Sequence, residues 1–144
     1  MAKLVNPLKD KLRKGELALG MGIKAFRSMD VGWVLKQAGW DWAFVDMEHS
    51  SMTLDQAAQV CGSCRLSGVP PIVRVPGYDH YLASRVLDFG ALGIVFPHVD
   101  SAEQAAKLVS YCKYPPEGHR SYGGPMAQLD YAGIPPVDAM KAVN

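Results

Sequence analysis

The chain has 144 residues, 49% of them hydrophobic and 20% charged, and a formal net charge of +1 at pH 7. This composition is that of a packed globular domain, and it excludes intrinsically disordered and collagen-like classes of protein. Because the chain has no strong electrostatic field and no apolar run near the ~18 residues that span a bilayer, we expect no nucleic-acid partner and no membrane partner.

Four short apolar runs, each followed by an amphipathic segment, are the predicted strands of the chain. The runs are nearly continuous in apolar residues, which is typical of parallel strands that are covered on both faces. Their alternation with helical segments indicates βαβ units. The predicted strands, in chain order, are Ala18–Ile23, Trp42–Met47, Pro71–Val75 and Gly93–Val99.

The predicted helices begin after residues whose side chains can cap them, and three of the helices end at a glycine. Ser, Thr and Asp accept hydrogen bonds from the free N–H groups of a first helical turn, and glycine adopts the left-handed conformation that ends a helix. Ser101 and Gln104 also match the capping-box pattern. The predicted helices are Val31–Gln37 after Ser28, Leu54–Leu66 after Thr53, His80–Phe89 after Asp79 and Ala102–Tyr111 after Ser101, with Gly39, Gly68 and Gly90 as terminating glycines.

Four βα units are compatible with half of a (β/α)₈ barrel or with a small doubly wound sheet. The sequence contains neither G-x-G-x-x-G after the first strand nor G-x-x-x-x-G-K-[ST], which disfavours the Rossmann and P-loop classes. The predicted fold is therefore α/β, the N-terminal half of a (β/α)₈ TIM barrel. We expect residues 1–144 to form one partial barrel domain that stops before a fifth strand, with a loop at 114–125 and a weakly helical tail at 136–144.

Polar residues follow the predicted strands at the rim where the catalytic groups of a parallel barrel stand. The second strand ends with Asp46, Glu48 and His49, and the third carries Arg74 near its end. A carboxylate, an imidazole and a guanidinium at one rim can transfer protons beside an anionic substrate. Charged residues at strand ends also simply meet solvent in many proteins, so composition alone leaves both interpretations open. The polar set also includes Lys24 and Arg27 after the first strand and His98 at the end of the fourth.

Four separate motifs together resemble one enzyme family in their order and spacing. They are WDWAFVDMEHS at 40–50, PIVRVP at 71–76, VLDFGA at 86–91 and YPPEGHR at 114–120. The set resembles the 4-hydroxy-2-oxoheptanedioate and 2-dehydro-3-deoxyglucarate aldolases, which are class II pyruvate aldolases, over nearly the whole chain. The resemblance implies a barrel of the phosphoenolpyruvate/pyruvate-binding type and a lyase that cleaves 4-hydroxy-2-oxo acids to pyruvate, or an analogue, plus an aldehyde.

The resemblance also implies roles for individual residues. His49 matches the general base of the family, Arg74 matches the residue that stabilises the enolate, and Asp88 matches a carboxylate that raises the basicity of the histidine. Asp46 precedes His49 by three residues and is a candidate to orient it. Because Asp88 lies near the end of a helix that runs away from the rim, it reaches a histidine only across a subunit interface, and we expect a homo-oligomer with a shared active site. The alternative for Asp88 is a local hydrogen bond at the helix end.

A divalent metal ion, Mg²⁺, Mn²⁺ or Co²⁺, is the cofactor that the resemblance implies, as a Lewis acid toward the enolate. The metal-binding Glu and Asp of the family lie on the fifth and sixth strands, so we expect the ligands beyond Asn144 and assign none within the chain. Metal binding by Asp46, Glu48, His49 and His98 is the less favoured alternative. We expect the chain alone to be inactive, and the competing hypothesis is a non-catalytic half-barrel that needs a complementary chain.

The cysteines and the start of the chain bear on its location. Cys61 and Cys64 have C-x-x-C spacing, but they fall inside a predicted helix without a second pair for zinc, so we expect buried helix cysteines. An odd count of three cysteines suits a reducing compartment. The Lys-rich start leads into no apolar segment of the kind that a signal peptide has. We therefore expect a cytoplasmic protein.

Overall fold

The computed structural model describes residues 4–144, and within them four parallel strands form one sheet. The sheet order, β1-β2-β3-β4, follows the order of the chain, which confirms the predicted α/β class. Each strand lies inside its predicted range and is shorter than it, because pairing stops where the chain bends into the loops. The strands are β1 (Gly20–Ile23), β2 (Trp42–Asp46), β3 (Pro71–Arg74) and β4 (Gly93–Val95).

Helices connect the strands, and the four predicted helices agree with the structure to within one residue at each end. A further helix at the start of the chain was not predicted, because only Leu8 of its seven residues is buried and the segment has no apolar period. This helix begins at Asn6, whose side chain accepts a hydrogen bond from the Lys9 N–H. The helices are α1 (Pro7–Arg13), α2 (Val31–Gln37), α3 (Leu54–Leu66), α4 (His80–Asp88), α5 (Ala102–Cys112) and α6 (Pro136–Val143), with a short 3₁₀ helix at Ala127–Leu129.

The structure confirms the predicted helix starts but corrects the predicted caps of three helices. Asp79 directly precedes α4, but its side chain makes no capping hydrogen bond. Helix α2 begins after Asp30, and Ser28 contributes only its backbone carbonyl, which accepts from the Val31 N–H. At α5, the Ser101 side chain accepts from the Gln104 N–H as predicted, but the Gln104 side chain accepts from the Asp100 N–H instead of closing the box on Ser101. A complete capping box is present at α3, where the partners are Thr53 and Gln56. The glycines at 39, 68 and 90 have positive φ angles, as their role as helix terminators requires.

The main core lies between the sheet and its helices. Ile23, Val45 and Val73 are in register on neighbouring strands and are fully buried on the face that α2 to α4 cover. Burying one such side chain contributes about 1.5–3 kcal/mol, so this layer helps to hold β1, β2 and β3 in position. A second, smaller cluster joins the loop after α5 to α6 and consists of Tyr114, Met126, Leu129 and Ala139.

The opposite face of the sheet carries Gly22, Phe44, Ile72 and Gly93 in one register row, and Phe44 and Ile72 remain half-buried. The polar residues of the predicted site follow at the carboxyl ends of the strands. Among residues 4–144, we find no helix with the length and apolar character needed to cross a membrane.

Candidate active site at the carboxyl ends of the strands

An ion pair between Asp46 and Arg74 forms the centre of the rim. The two residues end β2 and β3 and are direct partners in the parallel register. Arg74 Nε donates to Asp46 Oδ1 at 3.0 Å, and Arg74 Nη2 donates to Asp46 Oδ2 at 2.7 Å. A two-point contact of this kind fixes the plane of the guanidinium as well as its position. The site is therefore organised before any substrate binds.

The protein environment keeps Asp46 ionised. Its hydrogen bond from Arg74 is the main reason that the pKa of the carboxyl lies far below the usual range, and backbone N–H groups of Glu48 and His49 add to this effect. Burial of Asp46 acts in the opposite direction and is outweighed. The same hydrogen bond raises the pKa of Arg74. Lys24 Nζ lies 3.6 Å from Asp46 Oδ2 and adds positive charge at the rim.

Glu48 connects Arg74 to two histidines. Its Oε2 atom lies 3.1 Å from Arg74 Nη1 and 3.8 Å from His49 Nε2, and its Oε1 atom lies 3.2 Å from His98 Nε2. The Arg74 contact is close but poorly directed, so Oε2 accepts no well-formed hydrogen bond within the described residues. The sequence predicted Glu48 as a neighbour of His49 at the rim, with metal binding as the less favoured alternative, but it did not predict the contacts with Arg74 and His98, because spacing alone does not fix the direction of a side chain that follows a strand.

His49 lies at the same rim, and its side chain is exposed. Asp46 accepts a hydrogen bond from the His49 backbone N–H at 3.1 Å, so it orients the backbone of His49 and leaves the ring free to turn. The acidic group nearest to the ring is Glu48. The structure therefore brings Asp46, His49 and Arg74 together at one rim, with the imidazole accessible to a molecule bound there.

Asp88 is not part of this group within the chain. It is the last residue of α4, and its Oδ1 atom accepts from Arg120 Nη2 at 2.7 Å. The Arg120 side chain is buried, lies over the Tyr114 ring at 4.6 Å and contacts Gln128. Sequence reasoning missed this partner of Asp88, although Arg120 closes one of the four motifs that carry the family resemblance.

The described residues do not by themselves fit a metal ion. Within residues 4–144, no group of three or more His, Cys, Asp or Glu side chains is arranged to hold one. Both oxygens of Asp46 are occupied by Arg74, and the Arg74 guanidinium next to Glu48 repels a second cation.

The C-x-x-C cysteines are structural, as predicted. Cys61 and Cys64 lie inside α3 as buried free thiols. Burial raises the pKa of both thiols, that of Cys64 to about 12, which keeps them protonated and unreactive at neutral pH.

Several known proteins with similar sequences are aldolases. Residues 31–139 match the family described as HpcH/HpaI aldolase/citrate lyase. The 4-hydroxy-4-methyl-2-oxoglutarate aldolase of Hapsidospora irregularis is 40% identical over 126 residues, which are 86% of this chain and 46% of the relative. The 4-hydroxy-2-oxovalerate aldolase of Novosphingobium aromaticivorans is 38% identical over 134 residues, which are 91% of this chain and 50% of the relative.

A solved structure gives the same result for the fold. The HpcH/HpaI aldolase from Desulfitobacterium hafniense DCB-2 superposes with a TM-score of 0.85 and 31% sequence identity, and the match covers 93% of this chain and 51% of that one. The chain thus spans about half the length of the relatives it matches, and its parallel βα units are half of a TIM barrel, as predicted. On the strength of these matches, this chain belongs to the HpcH/HpaI aldolase/citrate lyase family.

Proposed function

We propose that this chain forms part of a class II aldolase that cleaves 4-hydroxy-2-oxo acids to pyruvate, or an analogue, plus an aldehyde, and that also catalyses the reverse addition. The observation that carries the proposal is the Arg74 guanidinium, which Asp46 fixes at the rim where the strands end. Two of the relatives are named as aldolases of 4-hydroxy-2-oxo acids, which supports this substrate class.

The proposed reaction uses His49 and Arg74 in separate roles. Breaking the C3–C4 bond requires a base to remove the proton from the C4 hydroxyl, and we assign this role to His49, whose exposed ring at the rim supports it. The electron pair of the broken bond passes to C3 and onto the C2 oxygen as an enolate. Arg74 donates hydrogen bonds to that oxygen, and because its position is already fixed, little reorganisation opposes the step. C4 leaves as the aldehyde, and the proton that His49 took is returned to C3, which gives pyruvate and restores the neutral base.

We also propose that the active site is shared between copies of the chain in a homo-oligomer. Asp88 ends a helix that leads away from the rim, and it contacts Arg120 and not His49 in its own chain. Its side chain remains partly exposed beside the buried Arg120. In the proposed oligomer, the Asp88 carboxylate of one copy therefore meets the His49 ring of a neighbouring copy.

The divalent ion of the proposed enzyme is Mg²⁺, Mn²⁺ or Co²⁺, and we expect its ligands in the portion of the relatives that follows the match to this chain. The alternative is a non-catalytic half-barrel that needs a complementary chain, because β1 and β4 each have one edge without a partner strand in the described residues. A cytoplasmic location remains our expectation.

Two preparations of the chain test the proposal. One is the 144-residue chain purified free of other aldolases, and the other is the same chain co-expressed with the second half of the Desulfitobacterium hafniense relative. We expect the completed form to release pyruvate from a 4-hydroxy-2-oxo acid, and we expect a chelator to stop the release and a divalent ion to restore it. A folded, completed barrel that releases no pyruvate with any of the three ions would contradict the aldolase proposal.

A further inference from the structure

We propose that His98 is a positioning residue that acts through Glu48 on the Arg74 guanidinium, a role that depends on the proposed aldolase function only for its kinetic test. His98 follows β4 and is far from Arg74 in sequence, and the family resemblance assigns it no role. Its ring reaches across the rim to a carboxylate that follows β2.

The contacts form a continuous chain from one strand end to the next. His98 Nε2 lies 3.2 Å from Glu48 Oε1, and Glu48 Oε2 lies 3.1 Å from Arg74 Nη1. Asp46 already binds Arg74 through Nε and Nη2, so Nη1 is the guanidinium nitrogen that faces Glu48. The Glu48 carboxylate thus shares a hydrogen bond with an imidazole at Oε1, and its Oε2 atom lies in charge contact with the guanidinium without a well-formed hydrogen bond.

The backbone at His98 shows that the position is maintained at a cost. Its φ angle is 52°, in the left-handed region that glycine adopts freely and that other residues adopt uncommonly, although histidine is among the more frequent of these. The Tyr78 hydroxyl, from the loop after β3, donates to the His98 carbonyl and holds this conformation. Strained residues of this kind persist where the rest of the structure fixes them, and they concentrate at functional sites.

The consequence for Arg74 follows from the geometry of Glu48. When the His98 contact is removed, Glu48 Oε1 loses its partner and the carboxylate is free to rotate. Its second oxygen then no longer keeps its negative charge at a fixed place 3.1 Å from Arg74 Nη1. An enolate oxygen would meet a guanidinium that is fixed at two nitrogens only, so the loss should fall on turnover more than on substrate binding.

The kinetic test compares His98→Ala with His98→Gln in the completed barrel. The glutamine amide nitrogen lies near the position of Nε2 and still donates to Glu48, whereas alanine does not. We expect His98→Ala to lower kcat about 10-fold with a small change in KM, as is usual when a second-layer contact is removed. We expect His98→Gln to restore most of the loss, and Val99→Ala, next in the chain, to have no effect. In an Arg74→Lys background, His98→Ala should cause no further loss.

A second measurement requires no activity. In the 144-residue chain, the nitrogen-15 NMR signals of the Arg74 guanidinium should shift and exchange faster with solvent in His98→Ala, and they should match the unmodified chain in His98→Gln. Unchanged Arg74 signals in His98→Ala would overturn the proposal. Equal loss of kcat in both variants would also overturn it, because the ring would then act directly. If the unmodified barrel cleaves nothing, the proposed function fails, and the NMR comparison still decides the positioning role.

Discussion

Two arginine–aspartate pairs in this chain have opposite patterns of exposure. At the rim, the Asp46 side chain is 0% exposed and that of Arg74 is 23% exposed. In the pair at the end of α4, the Arg120 side chain is 1% exposed and that of Asp88 is 38% exposed. Both pairs have a closest contact of 2.7 Å. The same interaction therefore presents a cation to solvent at one place and an anion at the other, and the buried member holds the exposed one in position.

The surroundings of each buried member explain the difference. Two backbone N–H groups donate to Asp46 Oδ1, so the buried charge is compensated by more than the Arg74 guanidinium. Arg120 is instead covered by the Tyr114 ring and contacts Gln128, which itself donates to the Ala91 carbonyl. The first arrangement suits chemistry on an anionic substrate, and the second suits a carboxylate that meets another surface.

The largest expected effect comes from removing the arginine of each pair. Arg74→Met leaves the buried Asp46 carboxylate without its partner, and such a change typically costs about 3–5 kcal/mol of folding free energy. Arg120→Met removes the buried charge itself and leaves Asp88 in contact with water, so we expect a smaller cost of about 1–3 kcal/mol. Urea unfolding of the two variants measures both values, and a larger loss for Arg120→Met would contradict the comparison.

The second test concerns turnover in the completed barrel. Arg74→Ala should lower kcat about 100- to 1000-fold, the usual loss for one oxyanion donor, with a smaller change in KM. Arg74→Lys keeps the charge but not the two-point contact with Asp46, so its kcat should lie between that of the unmodified barrel and that of Arg74→Ala. Circular dichroism checks that each variant is folded. A raised KM at unchanged kcat would make Arg74 an anchor for the bound substrate instead.

The third test uses pH. The pKa of Asp46 is lowered in the folded state, so this residue stabilises the fold fully above its unfolded pKa of about 3.9 and loses the contribution as pH falls through the lower, folded value. The difference in unfolding free energy between the unmodified chain and Asp46→Asn should therefore be constant from pH 5 to about 8 and shrink below about pH 4. Ser63→Ala removes a buried hydroxyl that does not titrate, and its cost should not change with pH. A difference for Asp46→Asn that stays constant at low pH would contradict the assignment.

The smallest expected effect is the loss of folding free energy when Tyr114, whose ring contacts the Arg120 guanidinium, is replaced. Tyr114→Phe removes a hydroxyl that donates to Met126 Sδ at 3.5 Å but keeps the ring under the guanidinium, so we expect a loss below about 1 kcal/mol. Tyr114→Leu also removes the cation–π contact and should cost about 1–2 kcal/mol more. Equal thermal unfolding of the two variants would show that the ring does not support Arg120.

Sequence patterns were sufficient for the elements of the fold because those patterns are local. Helix α3 has its capping residue, Thr53, directly before it and a terminating glycine, Gly68, shortly after it, so both ends were predictable. Helix α1 was not, because an exposed segment with a single buried leucine has no apolar period. The predicted strand at 93–99 was too long, because β4 ends at Val95 and the chain has left the sheet before it reaches His98, whose φ angle is positive.

The candidate site was predictable only as far as topology determines it. Asp46 and Arg74 end neighbouring parallel strands, so their proximity followed from the strand order. The contacts of Glu48 depend on side-chain directions in loops, and spacing does not determine these directions. The partner of Asp88 is 32 residues away at Arg120, and no local pattern links the two. The catalytic roles of His49, Arg74, Asp46 and Asp88 remain predictions.

The agreement between sheet order and chain order has a consequence for how this molecule is made. Each strand from β2 onward pairs with the strand that leaves the ribosome just before it, across a single connecting helix. Contacts between segments close in sequence form quickly because little loop-closure entropy opposes them. The sheet can therefore grow one strand at a time during translation, with its newest strand always at the edge. At every stage that edge is the template for the next strand, and its exposed N–H and C=O groups are also where a wrong partner would add.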